Sequence, residues 1–282
     1  MQVIDSKVQL RAALKQARAG GKSVGFVPTM GYLHDGHAAL IDRARRENDV
    51  VVVSVFVNPT QFGPNEDLAA YPRDAQRDLA LLRAHGVDLA FLPGVEDLYP
   101  PGYTTYVTVE GPMTQTLCGR SRPGHFRGVA TIVTKLFHLV APERAYFGQK
   151  DCQQVAVLQR MVRDLDFDLQ IVVCPTVREA DGLAMSSRNI YLSAEQRTQA
   201  PRIAQALFEA REMIAKGERR ATVLAEYIKK SIATIDSAAI DYVSIADSQT
   251  LSDCEIVSGE VLIAVAVKIG RTRLIDNIRV EV

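Results

Sequence analysis

Net charge is the first thing this chain lacks: its 33 Lys plus Arg residues balance 33 Asp plus Glu. A surface for nucleic acid or for an anionic membrane needs a clustered positive excess, so neither is expected as a partner. The balance still leaves room for a small local anion site. Long apolar runs are missing too. The longest of interest, residues 50–57, falls far short of the ~20 residues that span a bilayer. The opening Met1-Gln2-Val3-Ile4-Asp5 has no basic region followed by an apolar stretch, so no signal peptide is expected. Cysteine is scarce and scattered: Cys118, Cys152, Cys174 and Cys254 form no close pair. That argues against a zinc site or a disulfide framework, and for free thiols in a reducing cytoplasm.

What is present is the composition expected of a soluble globular protein: 282 residues, 47% hydrophobic and 23% charged. Leu10, Ala13, Leu14 and Ala17 recur at helical spacing before Gly20-Gly21. Residues 23–28 read as a short buried strand, 36–47 as a helix, and 49–57 as a β-branched central strand. A helix over 73–85, strands over 87–92 and 104–109, and a helix over 128–140 follow. Next come a strand over 144–147, a helix over 151–164 and a strand over 169–174. Such alternation predicts an α/β fold, a Rossmann-like doubly wound parallel sheet. The pattern changes after Pro175. Helices over 194–215 and 222–235 precede three consecutive strand-like runs, 240–245, 261–269 and 272–280. Strands without intervening helices predict a smaller α+β C-terminal domain. The expected division is residues 1–177 and 178–282.

Ligands of open parallel sheets bind outside the carboxyl ends of the strands, so the segments after strands carry the interest. After the first comes Met30-Gly31-Tyr32-Leu33-His34-Asp35-Gly36-His37. Its glycines let a ligand approach the backbone, and the helix start favours a phosphate. His34 and His37 share a helical face and can donate to oxygens that gain charge. A metal pair or two surface histidines is the bland alternative, but no third ligand stands nearby. Gln61 lies in the segment after the second strand and suits a carboxylate or hydroxyl, although a plain turn residue is the commoner case. Gly148-Gln149-Lys150-Asp151 sits at another strand end, with Gln154 one turn on. Lys150 suits phosphate, although a solvated surface lysine is the commoner case. Met185-Ser186-Ser187-Arg188, near the domain boundary, offers two hydroxyls and a guanidinium to an oligophosphate, or is a polar linker.

Together these residues resemble a known family. Pro28-Thr29-Met30-Gly31 leading into His34-Asp35-Gly36-His37 is similar to the H-x-G-H signature of the nucleotidylyltransferase superfamily. Met185-Ser186-Ser187-Arg188 is similar to its second signature, a mobile loop. Within that superfamily the chain resembles the pantoate–β-alanine ligases. The residues that carry this are Phe56-Val57-Asn58-Pro59 with Gln61-Phe62, Tyr71-Pro72-Arg73, Arg122-Pro123-Gly124-His125-Phe126-Arg127-Gly128, Gln153-Gln154 and Leu274-Ile275-Asp276-Asn277. Gln149 departs from the family's more frequent Glu.

The resemblance implies joining of pantoate to β-alanine with ATP and Mg²⁺, through a pantoyl adenylate, in a cytoplasmic homodimer. By motif, His37, His34, Lys150 and Arg188 would be catalytic. The ATP site would comprise Met30 to His37, Gly148 to Asp151, Val177 and Met185 to Arg188. Gln61 and Gln154 would hold pantoate. It assigns no magnesium ligands here. Rival readings are a nucleotidylyltransferase that keeps AMP on its product, and a sensor that binds ATP without turnover. A tRNA synthetase shares the signatures, but the chain is short and lacks positive charge for tRNA.

Overall fold

A computed structural model describes residues 1–282. In chain order come β1 (Gln2–Ile4), α1 (Lys7–Ala19), β2 (Val24–Thr29), α2 (Asp35–Glu47), β3 (Val50–Val55), α3 (Ala75–Ala84), β4 (Leu89–Phe91) and α4 (Val95–Leu98). They are followed by α5 (Leu117–Ser121), α6 (His125–Val140), β5 (Arg144–Gly148), α7 (Cys152–Asp164), β6 (Gln170–Cys174), α8 (Ala194–Gln199), α9 (Arg202–Ala215) and α10 (Ala221–Ile232). Three strands close the chain: β7 (Ala238–Asp247), β8 (Glu260–Ile269) and β9 (Thr272–Glu281). Two compact units divide it. One holds residues 1–109, 122–148 and 157–175; the other holds 110–121, 149–156 and 176–282.

In the first unit six strands form one parallel sheet in the order β1-β4-β3-β2-β5-β6. Val51, Val52 and Val53 of β3 are fully buried, as a β-branched run covered on both faces should be. Ser6 caps α1 by accepting the Val8 N–H, and Leu10 and Leu14 turn that helix inward. The sheet winds outward in both directions from the β2–β5 neighbours, which makes their carboxyl ends, Thr29 and Gly148, the switch point. In the second unit β7, β8 and β9 form an antiparallel sheet. Its core includes Leu207, Leu224, Ile228, Ile263 and Val265, all fully buried. The expected fold class is the observed one.

Several elements differ from expectation. Residues 104–109 form no strand. The Val107 N–H donates to Thr131 Oγ1 at 2.9 Å and the Thr131 hydroxyl donates back to Val107 O at 3.3 Å. A helix side chain thus takes the polar groups that a ladder would need. The stretch 194–215 is two helices, α8 and α9, because Pro201 has no N–H to continue the first. Helix α6 begins at His125 rather than at residue 128. The short edge strand β1 had no readable pattern. All four cysteines are free thiols, and no helix is long and apolar enough to cross a membrane.

Candidate active site

The turn between β2 and α2 is built by backbone constraints. Gly31 has φ +81° and Tyr32 φ +50°, so the chain passes through two left-handed residues. A Cβ on Gly31 would lie 2.9 Å from Val55 Cγ1 and 3.0 Å from Asp78 Oδ2, so glycine is needed on space as well. Asp78, on α3 and 1% exposed, holds the turn. Its Oδ2 accepts the Tyr32 N–H at 2.8 Å and its Oδ1 the Leu33 N–H at 2.7 Å. Burial pushes the Asp78 carboxyl pKa up, against the pull of those two amides. Leu33 points into the core of the sheet.

His34 is the N-cap of α2, and His37 is its third helical residue. His34 Nδ1 accepts the Gly36 N–H at 3.1 Å, and His37 Nδ1 accepts the His34 N–H at 3.3 Å. Two histidines therefore form the reciprocal box usually made by Ser or Thr with Glu or Gln. A ring whose Nδ1 accepts carries its proton on Nε2. Both neutral rings thus turn an Nε2–H donor away from the helix start. Their centroids are 4.1 Å apart.

The carboxyl end of β3 leads to Gln61, in a single 3₁₀ turn over Pro59–Gln61. Its Oε1 accepts from Asn58 Nδ2 at 3.1 Å, and its Nε2 reaches Met30 Sδ at 3.0 Å. The structure thereby brings together Met30 and Gln61, two residues expected to serve different substrates. The Gln61 carbonyl accepts from His125 Nδ1 at 2.8 Å and from Arg122 Nη2 at 3.3 Å. Arg122 in turn forks onto Glu66, with bonds of 2.6 and 2.7 Å. Burial opposes the Glu66 charge, but the hydrogen bonds and attraction of Arg122 outweigh it and hold the carboxyl at about 2. Gly128 completes the cradle: a Cβ there would lie 2.3 Å from Thr60 O.

In the second unit Gln149, Lys150 and Asp151 form a 3₁₀ turn. Asn277 Nδ2 donates to Gln149 O at 3.1 Å and to Lys150 O at 2.9 Å, while Gln149 Nε2 donates to Asn277 Oδ1 at 2.9 Å. Gln149 thus makes a neutral, reciprocal contact. Gln154 lies near the start of α7 and is half-buried. Its neighbour Gln153 is 4% exposed and fully used: it accepts from Cys118 N and donates to Met113 O and Thr116 O. Val177 O accepts the Met185 N–H at 3.0 Å, closing a small hairpin. Ser186 then caps a 3₁₀ turn by accepting the Arg188 N–H at 3.2 Å, and Ser187 is buried.

Two positioning groups, Asp78 and Glu66, had no sequence signal of their own, because their partners lie far off in the chain. Asp276 and Asn277 stood within a family motif that gave them no role. No cluster of three or more His, Cys, Asp or Glu side chains is arranged to hold a metal ion. Both oxygens of Asp78 are already taken by backbone amides. The residues present therefore do not fit a protein-built magnesium cage.

Comparison with known proteins converges on one family. Its model, described as pantoate-beta-alanine ligase, matches residues 2–279. Pantothenate synthetase of Acetivibrio thermocellus is 56% identical over 282 residues, covering 100% of both chains. That of Moorella thermoacetica is 55% identical, covering 100% of this chain and 99% of the relative. Among solved structures, pantothenate synthetase from Thermus thermophilus superposes with a TM-score of 0.94 at 50% identity, covering 99% of each chain. Pantoate-beta-alanine ligase from Francisella tularensis, complexed with beta-gamma ATP and beta-alanine, gives a TM-score of 0.81 at 35% identity, covering 99% of this chain and 97% of that one.

Proposed function

The chain belongs to the pantoate-beta-alanine ligase family and is an enzyme that joins pantoate to β-alanine; on that premise we propose that it does so with ATP, through a pantoyl adenylate. The chemistry sets the need. A carboxylate is a poor acyl donor because its oxygen is a bad leaving group. Attack of the pantoate carboxylate on the α-phosphate of ATP forms an acyl–phosphate anhydride bond and expels pyrophosphate. The neutral amine of β-alanine then attacks the acyl carbon, the amide forms, and AMP leaves with the electron pair of the broken anhydride bond.

In the first step negative charge builds on phosphate oxygens, and fixed donors aimed there lower the barrier. The observation that carries this reading is the histidine box. It fixes both rings as Nε2–H donors at the carboxyl end of β2, next to a helix start that favours anions. Lys150, Ser186, Ser187 and Arg188 add donors to the same task in this proposal, and the loop of residues 185–188 closes over bound ATP. Met30 to His37, Gly148 to Asp151 and Val177 receive the nucleotide. Gln61 and Gln154 take the pantoate hydroxyl or carboxylate. That a relative has been seen with beta-gamma ATP and beta-alanine supports ATP as the co-substrate. With no cluster of side chains arranged to cage it, an Mg²⁺ accompanying ATP would be held chiefly by the phosphates and would offset their charge there. The same reading takes the enzyme as a cytoplasmic homodimer.

The test is pyrophosphate release with ATP and pantoate, with and without β-alanine, using pantoate labelled with ¹⁸O in its carboxylate. The adenylate route moves one label into AMP, and AMP is freed only when the amine is added. Release of ADP and phosphate, or AMP retained on the product, would rule the route out.

A further inference from the structure

Asp276 and Asn277 stand side by side in β9 at 4% and 2% exposure. A buried carboxylate and a buried amide each need partners. Theirs lie outside the sheet. Asp276 takes the Arg178 guanidinium in a fork, with bonds of 2.6 and 2.9 Å. Arg178 Nη1 also donates to Gly182 O at 3.0 Å. Asn277 makes the three bonds to Gln149 and Lys150 described above. The Asn277 N–H donates to Asp276 Oδ1 at 2.7 Å, tying the two residues together.

What these partners have in common is their place in the chain. Gln149 and Lys150 form the turn that carries the phosphate-binding lysine of the proposed reaction. Arg178 and Gly182 belong to the hairpin that closes at Val177 and Met185 and runs directly into Ser186-Ser187-Arg188. A single 3₁₀ turn has few internal hydrogen bonds, so an outside donor decides how its carbonyls lie. Asn277 Nδ2 spans two successive carbonyls and so fixes the peptide plane from which Lys150 departs.

We propose that Asn277 and Asp276 are positioning residues of the ligase: Asn277 sets Lys150, and Asp276 sets the loop of residues 185–188 through Arg178. This rests on the reading that Lys150 and that loop act on ATP. Neither residue touches substrate in this role. A misplacement of about 1 Å in a donor can lower a rate by about 10²-fold.

The experiment is a double-variant cycle with Asn277→Asp and Lys150→Ala, read by steady-state kinetics and thermal melting. Aspartate keeps the shape and can accept from Gln149, but it faces two carbonyl oxygens with no donor. Expected is a cooperative melt, a kcat lower by about 10–10²-fold and a pantoate KM within about twofold of the parent. In the Lys150→Ala background the same change lowers kcat by less than about threefold, because the group it positions is gone. Additive losses, or full activity of Asn277→Asp, overturn the proposal alone. Normal turnover of Lys150→Ala overturns the reading of Lys150 and the proposal with it. If Asn277→Asp does not fold, Asn277→Ser, which keeps one donor, replaces it. Failure of both to fold marks Asn277 as a fold residue and overturns the positioning role. Asp276→Asn tested against Arg188→Ala follows the same logic.

Discussion

His37 serves two ends with one ring: Nδ1 closes the first turn of α2, and the Nε2–H turned away from it serves the phosphates in the proposed chemistry. The two can be separated. Glutamate is the ordinary third residue of a capping box and favours a helix start, so His37→Glu should keep or raise the melting temperature. It also replaces a donor with a negative charge, so turnover should fall by roughly 10²–10³-fold or more. A variant that loses stability and activity together would contradict the division of labour. The sequence showed the pair at helical spacing beside a helix start, which was enough to propose anion binding. It did not show which nitrogen faces outward, because that depends on two backbone hydrogen bonds. Nor did it show Asp78, whose meaning lies in Tyr32 and Leu33 on a distant turn.

Among the elements, the 3₁₀ turn Pro59–Gln61 owes its place to helix α6. Gly128 lets the helix press against the backbone of Thr60, and Arg122 and His125 hold the Gln61 carbonyl. In Gly128→Ala the new methyl would meet main-chain atoms that cannot rotate away. The turn must shift, so the pantoate KM should rise while the ATP KM stays near the parent value. An ATP defect with normal pantoate use would refute that. The central strands were legible because β-branched runs such as 50–53 mark a strand buried on both faces. Residues 104–109 carry a strand-like pattern without the structure. Their hydrogen-bond partner is the hydroxyl of Thr131, which no local pattern can announce. The break before Pro201 was written in the chain and yields to the ordinary helix rule.

Over the whole molecule, charge balance conceals an uneven titration. Glu66 and Glu218 are each held at about 2, and Asp49, Asp181 and Asp247 also lie below their usual values. For such groups the unfolded chain takes up protons first as pH falls. Their stabilisation is complete above the unfolded value and is lost on the way down to the folded one. Asp78 and Asp276 act the other way: burial raises them, so their contribution improves as they protonate. The depressed set is larger. The urea midpoint should therefore decline between about pH 5 and about pH 2.5. Glu66→Gln should flatten part of that slope in equilibrium unfolding, and an unchanged slope would show that Arg122 does not hold the charge.

The histidine box also bears on how this protein could be redesigned. Methods that seek stability at helix starts favour Ser, Asp or Asn at the position of His34 and Glu or Gln at that of His37. Each such choice would make a firmer α2 and remove a ring that the proposed chemistry needs. If the proposed roles hold, stability and catalysis compete for the same pair of side chains, and better capping becomes a route to a more durable, inactive protein.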